Sequence, residues 1–281
     1  METKIDGITI TSPEKIIYPD DNITKLDVVK YYKKIAKYML PFVKGRIMCA
    51  IRCHGGINDE CFFKKHPTTE KDSVNIKKVD GEEYFYINTE KDIIYQAQMG
   101  TLEFHTWGSK IDSINKPDLM VFDLDPAPNV DMDKLKKGVL LLKGVLDKLK
   151  LKSYLKTSGG KGYHIVVPFS KSKNWKTFKE FSNNIAKLCE KLYPDMFTTS
   201  IRKKDRNGKI FVDYLRNEKG STCVCSYSLR ARKNAPVSVP ISWQSLSKIA
   251  PNKLTIKDTI KYATTHNPWK DIYEIKQELV K

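Results

Sequence analysis

Two hydrophobic periods alternate along the second half of the chain. Leu119–Pro126 is an apolar run broken only by Asp123 and Asp125 before its closing proline. In a strand, residues i and i+2 leave the same face, so both carboxylates point one way and Phe122 and Leu124 point into the core. Residues 131–150 change to a helical period, with Leu135, Val139, Leu142, Val145 or Leu146, and Leu149 on one stripe. Strands Ser153–Thr157 and Tyr163–Phe169 follow, joined by the turn Ser158-Gly-Gly-Lys-Gly162. A second helix over 174–192 gathers Trp175, Phe178, Phe181, Ile185, Leu188 and Leu192 on one side. Strand patterns return at Lys209–Leu215 and near residues 223–228. This β-α-β-turn-β-α-β order predicts an α+β fold with a mixed sheet and helices packed on it.

The first half is less regular. Residues 24–40 predict an amphipathic helix with Thr24 as N-cap, Leu26, Val29, Ile35 and Met39 as its apolar stripe, and Pro41 as its stop. Strands are expected near Ile47–Arg52 and Glu83–Asn88, the latter paired with Val74–Val79 through an Asp80-Gly81 turn. Residues 91–100 read as a short helix ended by Gly100. No repeat, low-complexity block or Pro/Gly/Ser-rich linker divides the chain. One domain over residues 1–281 is expected, with an N-terminal α/β module of about 1–110 packed closely on a core of about 111–281.

Composition narrows the function classes. No stretch of 18 apolar residues occurs among the 281, so no membrane span is expected, and the N-terminal METKIDGITITSPEK lacks the apolar core of a signal peptide. A cytoplasmic location follows as the expectation. Lys and Arg number 50 against 33 Asp and Glu, a formal net charge of +17, which points to a polyanionic partner. The six cysteines change the picture little. Cys49, Cys53, His54, Cys61 and His66 lie close together, but their spacing is not that of a zinc site. Cys49 and Cys53 alternate along a strand and read as buried thiols, as do Cys223 and Cys225. No disulfide is expected.

Four features carry chemistry. Asp213 lies in the apolar strand Ile210–Arg216, where burying a lone carboxylate is costly. If that strand lies beside 119–125, three carboxylates converge, a donor set suited to Mg²⁺ or Mn²⁺; an arginine partner is the alternative for Asp213. The turn Thr157–Gly162 brings close-approaching backbone, the Ser158 hydroxyl and the Lys161 charge to a polyanion, without forming a Walker P-loop. His105 and His164 are polar residues in apolar settings, each either a site residue or a structural one. Arg230 and Arg232 are i, i+2; on a strand they would face one side and could clamp a triphosphate or hold a carboxylate, with a solvated basic edge as the alternative.

These segments resemble one family. His105-Thr-Trp107, Asp123-Leu-Asp-Pro126, Ser158-Gly-Gly-Lys-Gly-Tyr-His164, Phe211-Val-Asp-Tyr-Leu-Arg-Asn217 and Tyr227-Ser-Leu-Arg-Ala-Arg232 occur in the order found in the polymerase domain of bacterial ligase D, a member of the archaeo-eukaryotic primase superfamily. The segments Glu14–Pro19, Thr24-Lys-Leu26, Cys61–Lys65 and Ala235–Trp243 resemble it as well, so the likeness spans nearly the whole chain. It implies a primase-like catalytic core with an RRM-like sheet. No ligase or nuclease segment is recognised, so a stand-alone polymerase is expected.

The resemblance also implies roles. Asp123, Asp125 and Asp213 would form the catalytic and metal-binding triad for two divalent ions, Mn²⁺ or Mg²⁺. His105, Ser158, Lys161 and His164 would hold the incoming nucleoside triphosphate, with Arg216, Arg230 and Arg232 supporting the triphosphate and the triad. Ser12, Lys15 and Lys25 would bind the 5′-phosphate of a downstream DNA strand; the family more often has Asn at the position of Ser12. Phe62 and Phe63 would stack on DNA. Arg52-Cys-His-Gly55 departs from the commoner Arg-aromatic-Pro-x-Gly. The implied function is a DNA end-joining repair polymerase that prefers ribonucleotides. It would work in the nucleoid beside Ku and a separate ligase, on gapped or broken DNA. A replicative-type primase and a non-catalytic nucleic-acid-binding protein on the same core are the alternatives.

Overall fold

The computed structural model describes residues 3–67 and 75–279, and Val74 of the expected Val74–Val79 strand lies outside them. Two compact units emerge. The first holds Met1–Trp107, Val224–Val239 and Leu254–His266; the second holds Gly108–Cys223, Pro240–Lys253 and Asn267–Lys281. In chain order the first unit begins with β1 (Lys4–Ile5), β2 (Ile8–Thr9), β3 (Ile16–Tyr18), β4 (Ile23–Thr24) and α1 (Lys25–Val43). It continues with β5 (Met48–Arg52), β6 (Phe62–Lys64), β7 (Ile76–Val79), β8 (Glu82–Phe85), α2 (Glu90–Gln98) and β9 (Thr101–Thr106). The second unit has β10 (Leu119–Pro126), α3 (Met132–Lys148), β11 (Tyr154–Thr157), β12 (Tyr163–Pro168), α4 (Trp175–Leu192), β13 (Phe197–Thr198) and β14 (Ile210–Asp213). Then come β15 (Cys223–Val224), β16 (Pro240–Ile241) of the second unit, and α5 (Ile256–Thr265) of the first.

In the first unit, β9, β5 and β6 pair antiparallel in that order, and α1 carries the buried face that covers its core. Thr24 caps α1 as expected: its hydroxyl accepts from Asp27 N, and Thr24 N donates back to Asp27 Oδ2. The helix runs past Pro41 to Val43, contrary to the stop expected there. Pro41 falls in the last turn, where it removes one bond, and Lys44 N–H still reaches Leu40 O. Two buried tyrosines of α1 reach across the core to the later segment. Tyr31 OH donates to Tyr227 O at 2.9 Å, and Tyr32 Oη accepts from Leu229 N at 3.0 Å.

The second unit is built on a six-stranded mixed sheet of order β13-β14-β10-β12-β11-β16, antiparallel throughout except for the β13–β14 pair. In α3, Leu135, Val139, Leu142, Val145 and Leu146 are buried. In α4 the buried set is Trp175, Phe178, Ser182, Ile185, Ala186 and Cys189; the expected stripe fails at Leu188 and Leu192, which lie off this face and are exposed. β14 ends at Asp213 because the chain turns into a 3₁₀ turn at Leu215–Asn217. The Asn217 side chain then takes over the edge of β10, accepting from Val121 N at 2.7 Å and donating to Val121 O at 2.8 Å.

The cysteine expectation needs correction. Cys53 and Cys61 form a disulfide. Cys53 follows β5 and Cys61 precedes β6, so the antiparallel β5–β6 pairing brings the two ends of the connecting loop to a Cα separation of 4.4 Å. Cys49 stays a buried thiol in β5.

Candidate active site

The strand register brings two of the candidate carboxylates face to face. Asp123 on β10 sits opposite Asp213 on β14 on one side and opposite His164 on β12 on the other, and His164 sits opposite Lys156 on β11. Residues directly opposite in antiparallel strands share a face, so Asp213, Asp123, His164 and Lys156 form a row across four strands. Asp125 follows Asp123 on the same face. Phe122 and Leu124, on the other face, are fully buried.

Cations hold every carboxylate of the group. Arg216 Nε lies 3.1 Å from Asp213 Oδ2, and its Nη2 lies 3.8 Å from Asp123 Oδ2. His164 Nε2 lies 3.3 Å from Asp123 Oδ1. Arg206 Nη1 donates to Asp125 Oδ2 at 2.6 Å, while its guanidinium stacks on Phe211 at 4.3 Å. Burial pushes the Asp213 carboxyl above the usual carboxylate range; Arg216 opposes this and the neighbouring Asp123 adds to it. For His164, burial lowers the pKa, but Cys223 and Asp123 outweigh it and the net direction is up. The Cys223 Sγ lies 3.2 Å from His164 Nδ1, and despite burial the thiol is pulled below its ordinary value by His164 and Lys156.

Among the described residues, no three His, Cys, Asp or Glu side chains are gathered as a metal ion would hold them. The donor set nevertheless fits a hard divalent cation: three carboxylates on one face, two of them directly opposed. In this arrangement Arg206 and Arg216 supply the positive charge that such a group requires.

The Ser158–Gly162 turn joins β11 to β12 and is closed from inside. Ser158 Oγ accepts from Gly160 N at 3.0 Å and Gly162 N at 3.2 Å, and Gly159 N donates to Pro251 O at 2.9 Å. All three glycine N–H groups are therefore engaged within the fold, and exposed Lys161 is the cation this turn presents to solvent. Gly162 is required by packing, since a Cβ there would stand 2.0 Å from Leu124 O on β10.

The first unit carries a second cluster. His105 Nε2 lies 2.8 Å from Glu103 Oε2, and Arg230 Nε donates to the same oxygen at 2.8 Å. Burial alone would raise the Glu103 pKa, but the His105 and Arg230 contacts win and bring it down to about 2. Residues 227–232 do not form a strand, and of the alternatives for Arg230 the structure shows the one in which it holds a carboxylate. Tyr227 has φ 68° and Arg232 N bonds to Arg230 O, so Arg230 is held inward while Arg232 is exposed. Ser12 and Lys15 are exposed on the segment before α1. Lys25 N donates to Lys15 O at 2.8 Å, and Lys25 Nζ donates to Thr11 Oγ1 at 3.1 Å. Burial and then the Lys15 charge lower the Lys25 pKa, as expected of two ammonium groups crowded at one place. Phe62 and Phe63 are 39% and 67% exposed on β6 and leave it from opposite faces.

Residues 24–269 match the family model of the LigD primase-polymerase domain. This chain belongs to that family. Its members are DNA-directed nucleotidyltransferases. The chain is 32% identical to the multifunctional non-homologous end joining protein LigD of Pseudomonas aeruginosa, over 97% of this chain and 34% of the relative. It is 30% identical to the bifunctional LigD of Bacillus subtilis, over 96% of this chain and 45% of that protein. The chain thus spans between a third and a half of these relatives. The polymerase domain of Mycobacterium tuberculosis ligase D, solved in complex with DNA, superposes with a TM-score of 0.86 at 25% identity, covering 94% of this chain and 96% of that one.

Sequence reasoning missed Glu103, Lys156, Arg206 and Cys223. Glu103 and Lys156 each stand two positions from a singled-out residue, His105 and Ser158, and for Glu103 the strand period was a usable signal. Arg206 lies in the turn before β14 and Cys223 in a two-residue strand, and no local pattern marks either.

Proposed function

We propose that this protein is an end-joining repair polymerase. It adds nucleotides, ribonucleotides in preference to deoxyribonucleotides, to a primer 3′-hydroxyl at gaps or broken ends bearing a 5′-phosphate. The observation that carries this reading is the Asp213–Asp123–His164 register, with Asp125 on the same face. Membership of the primase-polymerase family and likeness to a ligase D polymerase domain solved with DNA support it.

In this reading Asp123, Asp125 and Asp213 would hold two divalent ions, Mn²⁺ or Mg²⁺. When bound, these supply activation of the 3′-hydroxyl and charge neutralisation at the leaving pyrophosphate. Arg206 and Arg216, which contact the carboxylates here, would supply positive charge beside the ions, Arg216 on the side of the triphosphate. His164, fixed between Cys223 and Asp123, and Lys161 and Ser158 on the turn hold phosphate and sugar oxygens. On the first unit, His105, Arg230 and Arg232 bind the triphosphate. Ser12, Lys15 and Lys25 receive the 5′-phosphate, and the exposed rings of Phe62 and Phe63 stack on bases without reading their sequence. Ku and a separate ligase are the expected partners, in the cytoplasm at the nucleoid. Among the described residues no helix is long and apolar enough to cross a membrane.

Extension of a gapped duplex tests this, with and without a downstream 5′-phosphate, using ribo- and deoxyribonucleotides in Mn²⁺ and Mg²⁺. Asp213→Asn is expected to cut incorporation at least about a hundredfold while leaving DNA affinity intact. Indifference to the 5′-phosphate, with Lys15→Ala silent, would overturn the end-joining assignment even if polymerisation remained.

A further inference from the structure

We infer that Glu103 is the positioning residue of the phosphate-binding pair His105 and Arg230, one carboxylate that sets the direction of both side chains. This rests on the nucleotide-binding reading of those two residues and extends it to a group that no motif marks.

The geometry is specific. Glu103 and His105 leave β9 on one face, and Glu103 is 4% exposed. Its Oε2 receives both the His105 ring nitrogen Nε2 and Arg230 Nε, and its Oε1 accepts from Ala231 N at 2.8 Å. Three donors from two distant segments therefore end on one carboxylate. A contact through Nε fixes the plane of a guanidinium. Glu103 stays ionised at neutral pH, so it can only accept. The proton at this contact therefore sits on His105 Nε2, and the ring orientation and hydrogen placement follow.

The backbone at Arg230 is held as firmly as its side chain. Arg230 N donates to Pro236 O at 2.8 Å, Arg230 O accepts from Tyr18 OH at 2.9 Å, and Leu229 N donates to Tyr32 Oη at 3.0 Å. Stability alone is a weak reason for such an arrangement, because desolvating a carboxylate and a guanidinium consumes most of what their attraction returns. What a buried, fully bonded pair does supply is fixed direction. An arginine in the irregular 227–232 segment would otherwise sample many rotamers, and a triphosphate would have to order it on binding.

The test is a double-mutant cycle on Glu103→Gln and Arg230→Gln. The affinity of a fluorescent ribonucleoside triphosphate is measured directly, beside KM and kcat on a gapped duplex. The expected result for Glu103→Gln is a loss of triphosphate affinity and a rise in KM of about tenfold, with kcat within about threefold and DNA affinity unchanged. The double variant should lose less triphosphate affinity than the product of the two single losses, because Glu103 acts in part through Arg230. If Glu103→Gln folds poorly, the double variant against Arg230→Gln still decides. Multiplicative losses, or a fall in kcat and DNA affinity as large as the fall in triphosphate affinity, would assign Glu103 a merely structural part and overturn the inference. A wild-type protein that binds no triphosphate and extends no primer refutes the polymerase reading. A wild-type active in both, with Glu103→Gln identical to it, refutes the role of Glu103 alone.

Discussion

Single atoms decide two positions in this molecule. At Gly162 the missing Cβ lets the 158–162 turn close against β10; an added methyl would meet the Leu124 carbonyl oxygen at 2.0 Å and its carbon at 3.1 Å. Backbone cannot move aside as a side-chain tip can. Gly162→Ala should therefore destabilise the protein by about 2–4 kcal/mol, read as a lowered urea midpoint. An unchanged midpoint would mean that the turn does not pack as described. At Glu103 the sign of the pH effect follows from its depressed pKa of about 2. A carboxyl depressed in the folded state adds stability that is fully present above the unfolded pKa and is lost as pH falls toward the folded one. For Glu103 the window lies below the ordinary Glu value of about 4.3, and the contribution is on the order of 3 kcal/mol. Unfolding free energy measured between pH 5 and pH 3 should fall less steeply in Glu103→Gln than in the wild type; equal slopes would contradict the geometry of this carboxylate.

At the scale of elements, local period was a good guide wherever an element is long. α3 and the Asp-bearing strand β10 fall within about two residues of their expected positions because one apolar stripe or one alternation sets them. The misses are at ends and short pieces. α1 passes Pro41 because a terminal turn tolerates a lost N–H. The strand pattern near 223–228 survives only as β15, and the 227–232 segment is bent, because Tyr31, Tyr32 and Glu103 capture its backbone. The β5–β6 loop closes through Cys53 and Cys61, a pairing set by strand alignment and not by residue spacing. Denatured without reductant, the protein should take up an alkylating agent at Cys49, Cys189, Cys223 and Cys225. Peptide mass spectrometry showing label on Cys53 or Cys61 would refute that link.

For the whole molecule the dominant quantity is charge. A net +17 over 281 residues predicts binding to nucleic acid driven largely by phosphate contacts and counterion release. Affinity for a gapped duplex should fall by at least about tenfold between 50 and 200 mM salt, and by the same factor for duplexes of unrelated sequence. A flat salt response, or strong dependence on base sequence, would contradict recognition through the backbone.

By itself the sequence determined the alternation of strands and helices, the shared face of Asp123 and Asp125, the Gly-rich turn and the basic balance. Each of these is a property of neighbours along the chain, where the periods of 2 and 3.6 act. Only the tertiary structure decided that Asp213 faces Asp123, that Lys156 and Cys223 flank His164, that Arg206 reaches Asp125 across 81 residues of chain, and that Glu103 joins His105 to Arg230 across 127. Strand order and register arise from burying many apolar faces together, and no short segment contains that information.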